Sequence, residues 1–241
     1  MKVFLLLTLL AGLPAYSQTT LPKALVWGGP GACAQDCVTG AVTAAKKAGY
    51  NPVIVYPGSL VAEDFRDAKI WIQPGGKASQ ASFAMGSTIR NQIRTFVKNG
   101  GGYVGFCAGA FLATSTIGTT GNTGLGIVPG RTILYEAIDY ITLERMKLLT
   151  PAGAVYRKIY WEGGPYFRFT AAELERIYVR GRYTRTNQIG AIRTTYGTGR
   201  VYVTGAHPEA PQWWRDSVNL VDSDGLDYGI TTDMIKWAAK K

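Results

Sequence analysis

The sequence predicts an α/β fold: a mostly parallel sheet with helices on both faces, to which the second half of the chain adds antiparallel strands. Three observations lead there. Short apolar runs alternate with helix-like stretches through the first half, and several of those runs end in glycine-rich stretches. From Gly124 onward the pattern changes to β-branched and aromatic runs separated by turn residues.

The elements follow in order. Ala24 to Trp27 (ALVW) is apolar throughout and reads as a buried strand, followed by an alanine-rich helical stretch from Ala34 to Lys47. Pro52 to Tyr56 and Ala68 to Gln73 are the next strands, and Ser87 to Asn99 the next helix. Tyr103 to Phe106 is a fourth strand, with Ala108 to Thr114 helical behind it. The stretches "GGPGA" (28–32), "PGG" (74–76) and "GFCAGA" (105–110) fall at the carboxyl ends of strands, the edge at which such sheets build their sites. In the second half Ile138 to Leu143, Val155 to Trp161, Ile177 to Tyr183 and Gln188 to Thr194 read as antiparallel additions or a small β-rich flap. Arg200 to Thr204 (RVYVT) returns to a buried-strand pattern, and a helix over Thr232 to Lys240 closes the chain.

At 241 residues the chain is long enough to bury a core without staples. Residues 1–17 (MKVFLLLTLLAGLPAYS) have the layout of a secretory signal peptide: a positive charge at Lys2, an apolar stretch, and small residues at Ala15 and Ser17. Cleavage after Ser17 is expected, leaving residues 18–241 as one domain, exported to a periplasm or beyond the cell surface. No transmembrane span is expected after cleavage, since no later stretch approaches the roughly 20 apolar residues a span needs. The formal net charge is +10. Part of the excess lies between Arg176 and Arg200, where Arg180, Arg182, Arg185 and Arg193 also fall and no acidic residue intervenes. Such a region meets an anionic envelope surface or is a solvated hairpin face; no nucleic-acid motif accompanies it, and no nucleic-acid partner is predicted.

Cys107 sits between Gly105 and Gly109, where a strand passes into a helix. A nucleophile elbow needs small neighbours at those places because its backbone is crowded. The turn puts the sulfur near the positive end of the following helix, which favours thiolate over thiol. It also aims the Ala108 N–H at an oxyanion formed on attack, with a second donor from the neighbouring turn at Gly75 or Gly76. His207 is the only histidine, and Glu209 follows it in "GAHPEAP" directly after the strand 200–204. Two residues apart on an extended segment, they share one side, so Glu209 can orient the imidazole. Cys107, His207 and Glu209 are then nucleophile, general base and acid, and orienter.

These residues resemble the class I glutamine amidotransferase-like superfamily, with its Gly-x-Cys-x-Gly elbow and late His-x-Glu. More narrowly, "GPGAC" (29–33), "WIQPGG" (71–76), "GGGYVGFCAGAF" (100–111), "YWEGGPYF" (160–167) and "TGAHPEAP" (204–211) are similar to the group named for the N-terminal domain of biotin-protein ligases. The resemblance implies a flavodoxin-like three-layer sandwich with the triad at its edge. It does not imply biotin ligation, and export favours water over an attached synthetase as the acceptor.

In "YWEGGPYF", Tyr160, Trp161 and Glu162 suit a substrate-binding pocket wall or, alternatively, a strand end with core aromatics. Cys33 and Cys37 are candidates for a local disulfide that leaves Cys107 free; a reduced pair and a Cys33–Cys107 bridge are the alternatives. No zinc-type spacing is present and no metal is expected. "DSDGLD" (222–227) lacks the closing glutamate of a calcium loop and reads as a turn. "GGPG" lacks a phosphate-loop lysine, and no cofactor is expected. The expectation is an exported cysteine-dependent amidase or hydrolase acting on a small or peptide-like amide through a thioester. The alternatives are a non-catalytic envelope binding module on the same fold and a cysteine peptidase of a related family.

Overall fold

The computed structural model describes residues 20–33 and 35–240. The expected leader, residues 1–17, lies outside them. The elements run β1 (Lys23–Trp27), α1 (Cys37–Lys47), β2 (Asn51–Val55), α2 (Ala62–Asp67), β3 (Ala68–Gln73), α3 (Ala78–Lys98), β4 (Gly102–Phe106) and α4 (Ala108–Ala113). The second half adds β5 (Arg131–Leu134), β6 (Ile141–Thr150), β7 (Gly153–Glu162), β8 (Pro165–Arg168), α5 (Ala171–Leu174), β9 (Tyr178–Tyr183), β10 (Ile189–Tyr196), β11 (Gly199–Thr204), α6 (Gln212–Ser217) and α7 (Tyr228–Ala238).

One sheet of 11 strands carries the order β2-β1-β3-β4-β11-β10-β9-β6-β7, with β5 and β8 paired off this path. The strands from β2 to β11 are parallel, and those beyond β11 antiparallel. The parallel strands are apolar runs because both their faces are covered. Alternate residues sort to opposite sides. Leu25, Trp27, Trp71, Tyr103, Val201 and Val203 face α3 and α4, meeting Ile89, Ile93, Val97 and Leu112. Ala24, Val26, Ile70, Ile72, Val104 and Tyr202 face α1 and α7, meeting Val38, Ala41, Ala45, Met234 and Ile235. This is a three-layer α/β sandwich whose mostly parallel core carries antiparallel additions.

The differences from the sequence reading have local causes. Helix α1 begins at Cys37, not Ala34, because the turn before it is closed by Cys33, whose carbonyl accepts from the N–H groups of Cys37 (3.0 Å) and Val38 (3.2 Å). Within α3, Gly86 is non-helical, with φ +56° and ψ −171°, so the helix expected from Ser87 follows a separate helical stretch from Ala78 that the sequence reading did not include. Strand β6 continues to Thr150 through charged residues because its register against β7 is unbroken from Ile141↔Glu162 to Thr150↔Gly153. Strands β5 and β8 and helices α2, α5 and α6 are short, and periodicity over a few residues does not announce them.

Candidate active site

Strands β4 and β11 lie side by side and parallel, with Phe106 opposite Thr204. Their following loops therefore leave the sheet at the same edge. The Cys107 N–H extends the pairing by donating to the Thr204 carbonyl at 2.9 Å. Cys107 then turns the chain at φ +47°, ψ −102° into α4, with the Ala110 and Phe111 N–H groups donating to its carbonyl at 2.9 and 3.1 Å. A positive φ at a residue with a side chain is a strained conformation, the hallmark of a sharp strand-to-helix elbow. Its neighbours explain why they are glycines: a Cβ on Gly105 would meet the Gly109 backbone at 2.6 Å, and one on Gly109 would run into the Gln73 carbonyl. Ala108 is the first residue of α4, where a helix leaves its N–H groups without intrahelical acceptors.

His207 and Glu209 occupy the loop after β11. The His207 Nδ1 and Glu209 Oε1 atoms are 2.8 Å apart, with both side chains buried. Burial acts to lower the basicity of the ring. The charges on Glu209 and Cys107, and hydrogen bonds with both, outweigh it and raise the His207 pKa well above its ordinary 6.5. Gly75, in the turn after β3, abuts the ring: a Cβ there would lie 2.5 Å from His207 Cε1. The loop is held by its backbone too. The His207 N–H donates to the Tyr160 carbonyl at 2.8 Å, and Arg215 Nη1 donates to the Ala210 carbonyl at 2.8 Å.

The structure brings Tyr160 and Glu162 to this cluster and sends Trp161 elsewhere. Successive strand residues face opposite ways. The Tyr160 ring stands edge-on to His207 at 6.0 Å, and its hydroxyl donates to Glu162 Oε2 at 3.3 Å. Trp161 packs edge-on against Tyr135 at 5.7 Å, on the opposite side of β7. Glu162 reaches the cysteine through its main chain: the Cys107 thiol donates to the Glu162 carbonyl at 3.4 Å. Trp214 stands edge-on to the imidazole at 5.4 Å and to the Tyr160 ring at 5.2 Å, so the three rings pack together. Sequence reasoning missed Trp214 and Arg215; the signal was the "WWR" that opens α6, just after the histidine loop.

Cys33 and Cys37 are joined by a disulfide, with Cα atoms 5.1 Å apart, and Cys107 is a free buried thiol. The disulfide borders the cluster, since a Cβ on Gly75 would also lie 3.1 Å from Cys37 Sγ. The "DSDGLD" turn holds the loop in place. Arg215, buried, binds Asp222 at 2.9 Å and Asp227 at 3.3 Å, and Asp227 also binds Arg157 at 2.9 Å. Among the described residues no group of three or more His, Cys, Asp or Glu side chains could hold a metal.

The arginine-rich stretch is more internally satisfied than a solvated hairpin face. Arg193 and Arg200 stack over Trp237 of α7 at 5.0 and 5.4 Å, and Arg180 pairs with Asp233 at 3.8 Å. Arg185 donates to the Glu136 carbonyl and lies over the Tyr135 ring, and Arg182 donates to the Asn187 carbonyl at 2.7 Å. No helix of the described residues is long and apolar enough to cross a membrane.

Two grooves flank the sheet. One of about 740 Å³, lined by Phe65, Lys69, Phe96 and Gly101, lies at the amino ends of β3 and β4, away from Cys107. The other, of about 470 Å³, is lined by Gly76, Lys77, Phe111, Ile117 and Leu134 and lies on the Cys107 side.

Residues 23–138 match the family described as "Biotin-protein ligase, N terminal". Cys107 falls inside that match, and His207 and Glu209 beyond it. A curated biotin–protein ligase of Schizosaccharomyces pombe is 28% identical over 162 residues, covering 57% of this chain and 25% of the ligase. The chain thus spans about a quarter of that relative's length. Among solved structures, PurLQS from Thermotoga maritima superposes with a TM-score of 0.63 at 18% identity, covering 90% of this chain and 99% of that one. A glutamine amidotransferase gives 0.57 at 21% identity, with 80% of this chain and 97% of that one covered. Another glutamine amidotransferase, from Thermotoga maritima, gives 0.59 at 9% identity, with 91% and 98% covered. The chain is thus similar over residues 23–138 to the biotin-protein ligase N-terminal family, and it shares its three-layer α/β fold with the solved glutamine amidotransferases.

Proposed function

We propose that this protein is a cysteine-dependent hydrolase of an amide-type bond, with Cys107 as nucleophile, His207 as general base and acid, and Glu209 as orienter. The observation that carries the reading is the pairing of a strained elbow at Cys107 with an imidazole fixed by Glu209 and acted on by the cysteine sulfur. The Cys107 proton passes to His207, whose hold on it Glu209 and the resulting thiolate strengthen. Sγ attacks the substrate carbonyl carbon, and the developing oxyanion faces the Ala108 N–H and the Gly75–Gly76 turn. The C–N bond then breaks, the amine leaves with the proton held by His207, and a thioester remains on Cys107. Water, deprotonated by His207, attacks the thioester; the acid departs and the thiol is restored.

Export is part of the proposal. The leader-like residues 1–17 support it, and so does the Cys33–Cys37 disulfide, a bond that persists in oxidising compartments. The protein's similarity to a biotin–protein ligase is one of sequence over part of each chain, and ligation forms no part of this reading. A second reading, a non-catalytic binding module, is favoured by one observation: Cys107 is only 5% exposed. The two part on one experiment. Cys107→Ser and His207→Ala abolish amide turnover while leaving the circular dichroism spectrum and the unfolding midpoint close to those of the parent. Turnover retained in both variants contradicts the hydrolase reading, and a ligand held by the Cys107→Ala protein without turnover in the parent favours the binding module.

A further inference from the structure

The groove of about 470 Å³ lies beside the candidate active site: Cys107, His207 and Glu209 do not line it, but Phe111, hydrogen-bonded to Cys107, does. Gly76 follows Gly75, which abuts the His207 ring. Phe111 lies one helical turn beyond Cys107 and donates its N–H to the Cys107 carbonyl at 3.1 Å. Leu134 pairs with Pro165, at the end of the turn that begins with Glu162, whose carbonyl receives the Cys107 thiol. Three walls from three different elements thus each trace back to the cysteine or the histidine. A pocket for the non-reacting part of a substrate has to lie beside the reacting groups in this way.

The lining has a definite chemistry. Phe111 is half-buried, Ile117 is buried, and Leu134 is 55% exposed. Lys77 is the only charged residue in the lining, and none of the ion pairs among the described residues uses it.

We propose that this groove binds an apolar side group of the amide substrate, with Lys77 receiving a carboxylate carried beside it. The inference rests on the hydrolase reading and names its substrate class: amides bearing an apolar group about the size of a benzyl side chain and a free carboxylate. Ser79, Gln80, Thr119 and Thr120 also line the groove, and the apolar group is assigned to the part formed by Phe111, Ile117 and Leu134.

The test is affinity labelling of Cys107, located by peptide mass. The probes are N-iodoacetyl-phenylalanine, its methyl ester, N-iodoacetyl-glycine and plain iodoacetamide; in each, Sγ forms a bond to the methylene carbon and iodide leaves. The phenylalanine probe should label saturably and about tenfold faster than the glycine probe, as burial of a ring against apolar walls implies. Esterifying the carboxylate, or Lys77→Gln, should slow it about threefold, the scale of a partly exposed charge pair. Phe111→Ala should bring the phenylalanine probe down to the rate of the glycine probe with iodoacetamide labelling unchanged. Leu134→Ala, at an exposed position, repeats the comparison if Phe111→Ala lowers the folded fraction. Equal rates for the phenylalanine and glycine probes, in a protein whose Cys107 reacts rapidly and His207-dependently with iodoacetamide, would overturn the groove assignment and leave the hydrolase reading standing. A Cys107 whose reaction with iodoacetamide is slow and indifferent to His207→Ala would overturn the hydrolase reading, and the groove assignment with it.

Discussion

Gly75→Ala is a one-methyl perturbation whose consequences can be worked from the geometry. Gly75 is buried and its φ lies outside the left-handed region, so alanine can adopt the backbone without strain. The added methyl, however, would stand 2.5 Å from His207 Cε1 and 3.1 Å from Cys37 Sγ. An ordinary carbon contact needs about 3.5 Å or more, so the imidazole must retreat by roughly 1 Å. Overpacking of this kind costs about 1–3 kcal/mol, and for a chain of this size each kcal/mol lowers Tm by about 2–4 °C. The functional loss should be larger than the stability loss suggests, because a displacement of about 1 Å at a reacting group costs on the order of 100-fold in rate. Amide turnover and iodoacetamide labelling of Cys107 near pH 6.5 measure it, beside calorimetry. Gly229→Ala is the control: this exposed glycine in α7 has nothing within 4 Å of an added Cβ. It should be neutral or stabilising by up to about 1 kcal/mol, with unchanged rates. Full turnover in a folded Gly75→Ala protein would refute the reasoning, since it would mean that His207 need not hold its present place.

Two further outcomes follow from the loop that carries the histidine. Arg215→Ala removes a buried guanidinium that binds Asp222, Asp227 and the Ala210 carbonyl; it should cost about 3–5 kcal/mol in denaturant unfolding, because buried Asp222 loses its ion-pair partner and buried Asp227 keeps only Arg157. A midpoint within error of the parent would contradict the role given to that network. The raised His207 pKa makes a signed prediction about pH. Folding favours the protonated ring, so its stabilising contribution is fully present below the unfolded value of about 6.5 and is lost as pH rises through the higher folded value. Comparing Tm against pH for the parent and His207→Asn isolates it: the parent should lose stability relative to the variant over that window, and parallel curves would contradict the shift.

Much of this arrangement was legible in the sequence because it rests on local chemistry. The elbow could be read from Gly105 and Gly109, whose missing side chains are demanded by contacts with the backbone of Gly109 and Gln73. The edge shared by Cys107 and His207 followed from two apolar runs, β4 and β11, which lie adjacent and parallel. The long-range features were harder to read. That Glu162 meets the cysteine with its carbonyl, while Trp161 turns to Tyr135, depends on the phase of β7, and an aromatic cluster does not show which of its members face which way. Trp214 and Arg215 belong to a six-residue helix too short for a periodic signal. The arginines read as one basic stretch separate in space because α7, far along the chain, supplies Trp237 and Asp233 to some of them.

His207 is the only histidine, so its ring resonances need no assignment by elimination. An NMR titration of that ring in the parent, in Cys107→Ser and in Glu209→Gln tests most directly whether the three residues act as a unit. The account predicts a midpoint well above 6.5 in the parent and a fall in each variant, because each removes a charge and a hydrogen bond that hold the proton. A parent midpoint at or below 6.5, or one that Cys107→Ser leaves unmoved, would contradict it.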